Sequence, residues 1–294
     1  MTTLRVTSRA TGRKLRLLCL HGIYQDAETF TVKTKPLRGV SGTANVDFVF
    51  LDGPFSVVPP ILTRPNKRLR KCPSTSRQKK KSEYRAWWRP LGIHEEVDAG
   101  RLARDWDVLV SFLREQIDEI GDVDGVFGFS QGASLAAWMC SKRARAELRW
   151  SPKVAVLIGS YVGSPQFSLD SGIVPDISSL HIFGSNDYVI PTAKSQQVVD
   201  IFKQQQTVEN CVLTSVHAQG HVIPKCDECK ELFESFLIRQ QLRLLSRSTH
   251  SSSMAVDCNN VNALEVATTG SELCSSPATR WSPPCSHVSF QPTR

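Results

Sequence analysis

Six short apolar runs punctuate the chain, at residues 15–20, 47–51, 125–129, 154–159, 180–183 and 211–216. Each is four to six residues long and mostly apolar rather than strictly alternating, the pattern of a strand buried on both faces. Between them apolar residues recur at helical spacing. Leu102, Trp106, Leu109, Val110, Leu113 and Ile117 share one face of a helix that closes at Gly121. A second helix starts just after Ser130, and a third follows Pro191, whose fixed φ suits a first turn. A last one covers 226–245. Strands alternating with helices predict an α/β architecture: a doubly wound, mostly parallel sheet with helices on both faces.

Two stretches break the pattern. Residues 60–82 turn to Pro, Ser and basic residues and read as a disordered insert; beyond 246 the chain is rich in Ser, Thr, Asn and Pro and reads as a disordered tail. The expected folded domain is therefore 1–245, with 246–294 as the tail. Net charge changes this picture only locally. The total is +8, yet residues 63–81 hold nine Lys/Arg and no acid, so the rest nets about −1. A basic face spread over a folded domain is missing, which excludes nucleic acid as a partner of the core. Lys67-Arg68 and Lys79-Lys80-Lys81 have the spacing of a bipartite nuclear-import signal. The same segment suits an anionic membrane surface, or is simply a solvated loop.

No apolar run approaches the roughly 18–20 residues of a membrane span. The first 25 residues hold Arg and Lys but no acid. That resembles a transit peptide, but its removal would have to spare the strand at 15–20. The nine cysteines show no paired framework, which points to a reducing compartment and a cytoplasmic or nuclear protein. Cys226 and Cys229 form one CxxC with no second pair to complete a zinc site, so neither metal nor cofactor is expected.

The chemistry lies in Gly128-Phe129-Ser130-Gln131-Gly132, a G-x-S-x-G between a strand and a helix. In the α/β-hydrolase fold this turn holds a nucleophilic serine. Serine needs a base, and the base an orienting carboxylate, in the chain order Ser, acid, His, each beyond the carboxyl end of a strand. Asp187, after the strand at 180–183, fits; Asp170 and Asp176 have no strand just before them. His221 follows a Gly-containing loop and is preferred over His217, which continues a strand. The oxyanion is assigned to the backbone amides of Gln131 and Ile23, the latter in the His21-Gly22-Ile23 loop that His21 supports. Trp87 and Trp88 are candidates for an acyl pocket, or equally anchors of the insert, and Tyr161 and Val162 are further pocket candidates.

With these residues assembled, the chain resembles the FSH1-type serine hydrolases. The matching stretches are Leu18-Cys19-Leu20-His21-Gly22, Asp52-Gly53-Pro54, Ala86-Trp87-Trp88, Gly128 to Gly132, His181-Ile182-Phe183-Gly184 with Asp187, and Gly220-His221 with Pro224, over about 15–240. The resemblance implies an esterase of the carboxylesterase class, or a thioesterase, with Ser130, Asp187 and His221 as its triad and a small acyl ester or thioester as substrate. The long basic insert and the serine-rich tail depart from the family pattern. A hydrolase fold serving only as a binding module is the contrasting reading.

Overall fold

The computed structural model describes residues 13–39, 45–59, 84–90, 99–163, 165–205, 207 and 210–256. In chain order the elements are β1 (Leu15–Leu20), α1 (Ala27–Arg38), β2 (Val46–Leu51), β3 (Phe55–Ser56), β4 (Arg85–Ala86), α2 (Ala99–Ile120) and β5 (Gly125–Phe129). They continue with α3 (Gln131–Met139), α4 (Lys142–Leu148), β6 (Val154–Ile158), β7 (Ser178–Gly184), α5 (Thr192–Lys203), β8 (Val212–His217) and α6 (Asp227–Val256). Six strands form one sheet in the order β2-β1-β5-β6-β7-β8, and every neighbouring pair is parallel. Parallel neighbours need a crossover between them, which helices supply except between β6 and β7, where a connection with a single 3-10 turn at Pro165–Phe167 crosses instead.

The apolar runs are explained by two cores, one on each face. Leu18, Leu20, Ala155 and Leu157 point to the face covered by α2, α3 and α5, where Leu109, Leu113, Trp138 and Phe202 are buried. Their strand neighbours Leu17, Cys19, Val154 and Val156 point the other way, onto Phe30 of α1 and Phe233, Phe236 and Leu237 of α6. A half-exposed sheet would have shown alternation instead.

Two helices were not expected. In α1, Asp26 caps the start by accepting from the Thr29 amide at 2.7 Å, and Phe30, Thr34 and Leu37 form the buried stripe. Ser141 caps α4 in the same way, through the Ala144 amide. The end of α6 also differs: it runs past 245 to Val256. Nothing between 246 and 256 is Gly or Pro, so a helix already nucleated has no breaker there. The chain divides into two compact units, Met1–His250 and Ser251–Arg294; of the second, residues 251–256 are described and are helical. The basic cluster at 63–81 and the tail beyond 256 lie outside the described residues.

Candidate active site

Strand β5 ends at Phe129 and α3 begins at Gln131, leaving Ser130 alone to make the turn. It does so at φ 54° and ψ −118°, a backbone conformation that L-residues avoid. The turn is held by the Ser130 amide donating to the Ile158 carbonyl at 2.8 Å and the Ser134 amide donating to Ser130 O at 3.0 Å. Both flanking glycines are steric necessities. A Cβ on Gly128 would stand 2.4 Å from Gly132 O, and one on Gly132 would stand 2.1 Å from Leu20 O. Helix α3 passes so close to β1 that only hydrogen fits between them.

The loops beyond β7 and β8 bring the other two groups to Ser130. His221 Nε2 lies 2.8 Å from Ser130 Oγ, and His221 Nδ1 lies 2.6 Å from Asp187 Oδ2. The second Asp187 oxygen accepts the amides of Val189 and Ile190 at 2.9 and 2.8 Å, which fixes the carboxylate from behind. Asp187 is 7% exposed and Ser130 8%, so the chain of hydrogen bonds is shielded from competing water. The Phe129 ring packs on the imidazole with centroids 5.0 Å apart, and Gly159 backs it, since a Cβ there would lie 3.2 Å from His221 Cε1. His217 is buried at the end of β8 and accepts a hydrogen bond from the Gln219 amide instead. Asp170 and Asp176 are exposed.

The loop after β1 abuts the serine: a Cβ on Gly22 would come within 3.4 Å of Ser130 Cβ. His21 supports that loop from inside. Its Nε2 accepts from the Gly53 amide at 2.9 Å, so Nδ1 carries the proton and donates to the Gly22 carbonyl at 2.8 Å. Burial pushes the His21 pKa down, which keeps this neutral tautomer. Strand β4 clamps the same loop, with Tyr24 N donating to Arg85 O and Arg85 N to Gln25 O at 3.0 and 2.9 Å. Ile23 is thereby presented to the cleft. Gln131 opens α3, where first-turn amides have no partner within the helix.

The family model for serine hydrolases of the FSH1 type matches residues 10–232. This chain belongs to that family. Similar to this family member are the esterase OVCA2 of mouse, 28% identical over 234 residues, and that of human, 28% identical over 238. Each alignment covers 78% of this chain and 97% of the relative. Among solved structures, YahD with malic acid superposes at a TM-score of 0.52 with 14% identity, over 77% of this chain and 93% of that one. Esterase PE8 does so at 0.50 with 18% identity, over 77% and 92%. These structures share the α/β-hydrolase fold.

The cleft of this FSH1-family hydrolase is walled differently from expectation. A cavity of about 500 Å³ opens over Ser130 and His221, lined by Gly22, Ile23 and Phe129 near the serine. The lining also takes in Val32, Lys33 and Pro36 of α1, with Val189, Val222, Ile223 and Lys225 of the loops after β7 and β8. None of the four sequence candidates for the pocket is among these residues. Trp87 is fully buried: its indole N–H donates to the His21 carbonyl at 2.7 Å, and its ring lies 5.0 Å from the imidazole. It braces the loop that carries Ile23 and cannot meet a substrate. Trp88 packs on Phe167 with centroids 4.0 Å apart. The Tyr161 amide donates to Ser134 Oγ at 3.0 Å, and Val162 packs against the core on the face that α2, α3 and α5 cover. The missed wall was α1, and Asp26 followed by Glu28 was the available signal of its start.

Among the described residues, no group of His, Cys, Asp and Glu is arranged to hold a metal ion, and no helix is long and apolar enough to cross a membrane.

Proposed function

We propose that the protein hydrolyses carboxylic esters through an acyl-enzyme formed on Ser130. The observation that carries this reading is the pair of hydrogen bonds linking Ser130 Oγ, His221 and Asp187, at 2.8 and 2.6 Å. Ser130 Oγ attacks the substrate carbonyl carbon while its proton passes to His221 Nε2. Asp187 accepts a hydrogen bond from Nδ1–H, fixing the tautomer that leaves Nε2 free, and stabilises the imidazolium that forms. The amides of Ile23 and Gln131 donate to the oxyanion. The tetrahedral intermediate collapses by breaking the C–O bond to the alcohol, which leaves with the proton from His221. Water then attacks the acyl-enzyme with His221 again as base, and the second collapse frees the acid and passes the proton taken from water to Ser130 Oγ. The name of the curated relatives, esterase, supports an oxygen ester. A thioester would use the same steps with a thiol leaving group, and parallel assays of matched substrates separate the two.

Ser130→Ala tests the assignment. Turnover of p-nitrophenyl esters is expected to fall by about 10⁴–10⁶-fold, with loss of fluorophosphonate labelling. Labelling of the Ala variant at the wild-type rate would sink it. Wild-type protein that neither turns over any ester or thioester nor labels favours a binding module instead.

A further inference from the structure

The cleft lining is mostly apolar and carries two lysines, a combination the acyl-transfer steps do not use. Val32 and Val189 are each 65% exposed and Val222 43%, although all three line the cavity. Aliphatic side chains gathered in an open groove are positioned to cover an apolar stretch of ligand. Lys33, from α1, and Lys225, from the loop between β8 and α6, line the same cavity from different elements. Both are exposed. No acidic residue is among the described residues lining the cavity. Asp227 and Glu228 come just after Lys225, but Asp227 is paired with Lys230 at 2.8 Å and neither reaches the lining. A second depression of about 500 Å³ shares Val32 and Pro36 with the first and adds Lys35 and Lys230. Two lysines in a mostly apolar lining, with no carboxylate among its described residues to answer them, leave the counter-charge to the ligand.

We propose that the substrate carries a negative charge, a carboxylate or a phosphate, held at Lys33 and Lys225 while its apolar chain lies over Val32, Pro36 and Ile223. This rests on the hydrolase reading above and adds a specificity to it. Because neither lysine takes part in the acyl-transfer steps, the charge acts equally on ground and transition states and is felt in KM rather than kcat. Two exposed ion pairs amount to about a tenfold preference at low ionic strength, and salt weakens it.

The test uses matched substrates that differ only in charge, with the full-length protein. One arm compares p-nitrophenyl hexanoate with the p-nitrophenyl monoester of adipic acid, which places a carboxylate on the acyl side. The other compares hexanoyl-pantetheine with hexanoyl-4′-phosphopantetheine, which places a phosphate on the leaving-group side. The quantity read is the ratio of kcat/KM, anionic over neutral, in the wild type and in Lys33→Glu/Lys225→Glu. A wild-type ratio of about ten in either arm, carried by KM, falling with added salt and dropping below one in the double variant, supports the proposal. The arm that shows it identifies the side on which the charge sits. A ratio at or below one in both arms, or one that the double variant leaves unmoved, overturns it while the hydrolase reading stands. Absence of turnover in every arm, with no fluorophosphonate labelling of Ser130, overturns both.

Discussion

Gly132 has a carbonyl oxygen where any side chain would begin. Leu20 O stands 2.1 Å from its would-be Cβ, and the atom it meets is backbone in the central sheet, which cannot swing aside. Gly132→Ala is therefore expected to cost about 3 kcal/mol of stability, more than an ordinary Gly→Ala change in a helix, which would gain. Urea unfolding measures it directly; a loss below about 0.5 kcal/mol would mean that α3 can move off β1. The same closeness made the site readable from sequence. A glycine pair around a serine, between a strand and a helix, has few other physical causes, and the loops after β7 and β8 then delivered Asp187 and His221 in the order the chemistry needs. Lys33 and Lys225 were not readable, because an exposed lysine carries no pattern that tells a cleft wall from open surface.

Helix α1 shows why one wall went unread at the level of the element. Thr29, Thr31, Val32 and Thr34 are β-branched, and Pro36 sits inside the last turns, so local preference argues against a helix. Packing of Phe30 and Leu37 on the sheet overrides it. The β3–β4 pair is the converse case. Trp87 and Trp88 follow it and look like pocket aromatics, yet they are tied down by the neighbour of the nucleophile. The Gln131 side chain accepts from the Trp87 amide at 3.0 Å and donates to the Trp88 carbonyl at 2.9 Å. Gln131→Ala leaves the buried Trp87 amide without its acceptor, and a loss of about 1–3 kcal/mol is expected by urea unfolding. Unchanged stability would show that water or another acceptor takes over that amide. Nothing in the sequence near residue 87 announces this bond, since its partner is 44 positions away.

Across the whole molecule, burial sets how stability responds to acid. His181 is fully enclosed in β7, and burial, with Lys203 as a lesser cause, pulls its pKa from 6.5 to about 3. His21 and His217 are pushed the same way, each chiefly by burial. From pH 6.5 down to about 3 the unfolded chain binds a proton on His181 that the folded chain refuses. Stability thus falls as pH is lowered through that window, by up to about 1.4 kcal/mol per pH unit, and the His181 contribution levels off below it. Above 6.5 this imidazole is neutral in both states and contributes no slope. Urea midpoints at pH 7.5 and 5 are expected to show the drop, and His181→Phe to reduce it. A variant with the wild-type slope would assign the acid sensitivity to other groups. The pairing of Phe55 with Ala86 has a consequence of another kind. It brings the two ends of the intervening segment side by side. Loop closure grows only as the logarithm of length, about 0.6 kcal/mol for each doubling. Extra residues between β3 and β4 therefore cost the fold little, and the pair tolerates connections of very different length.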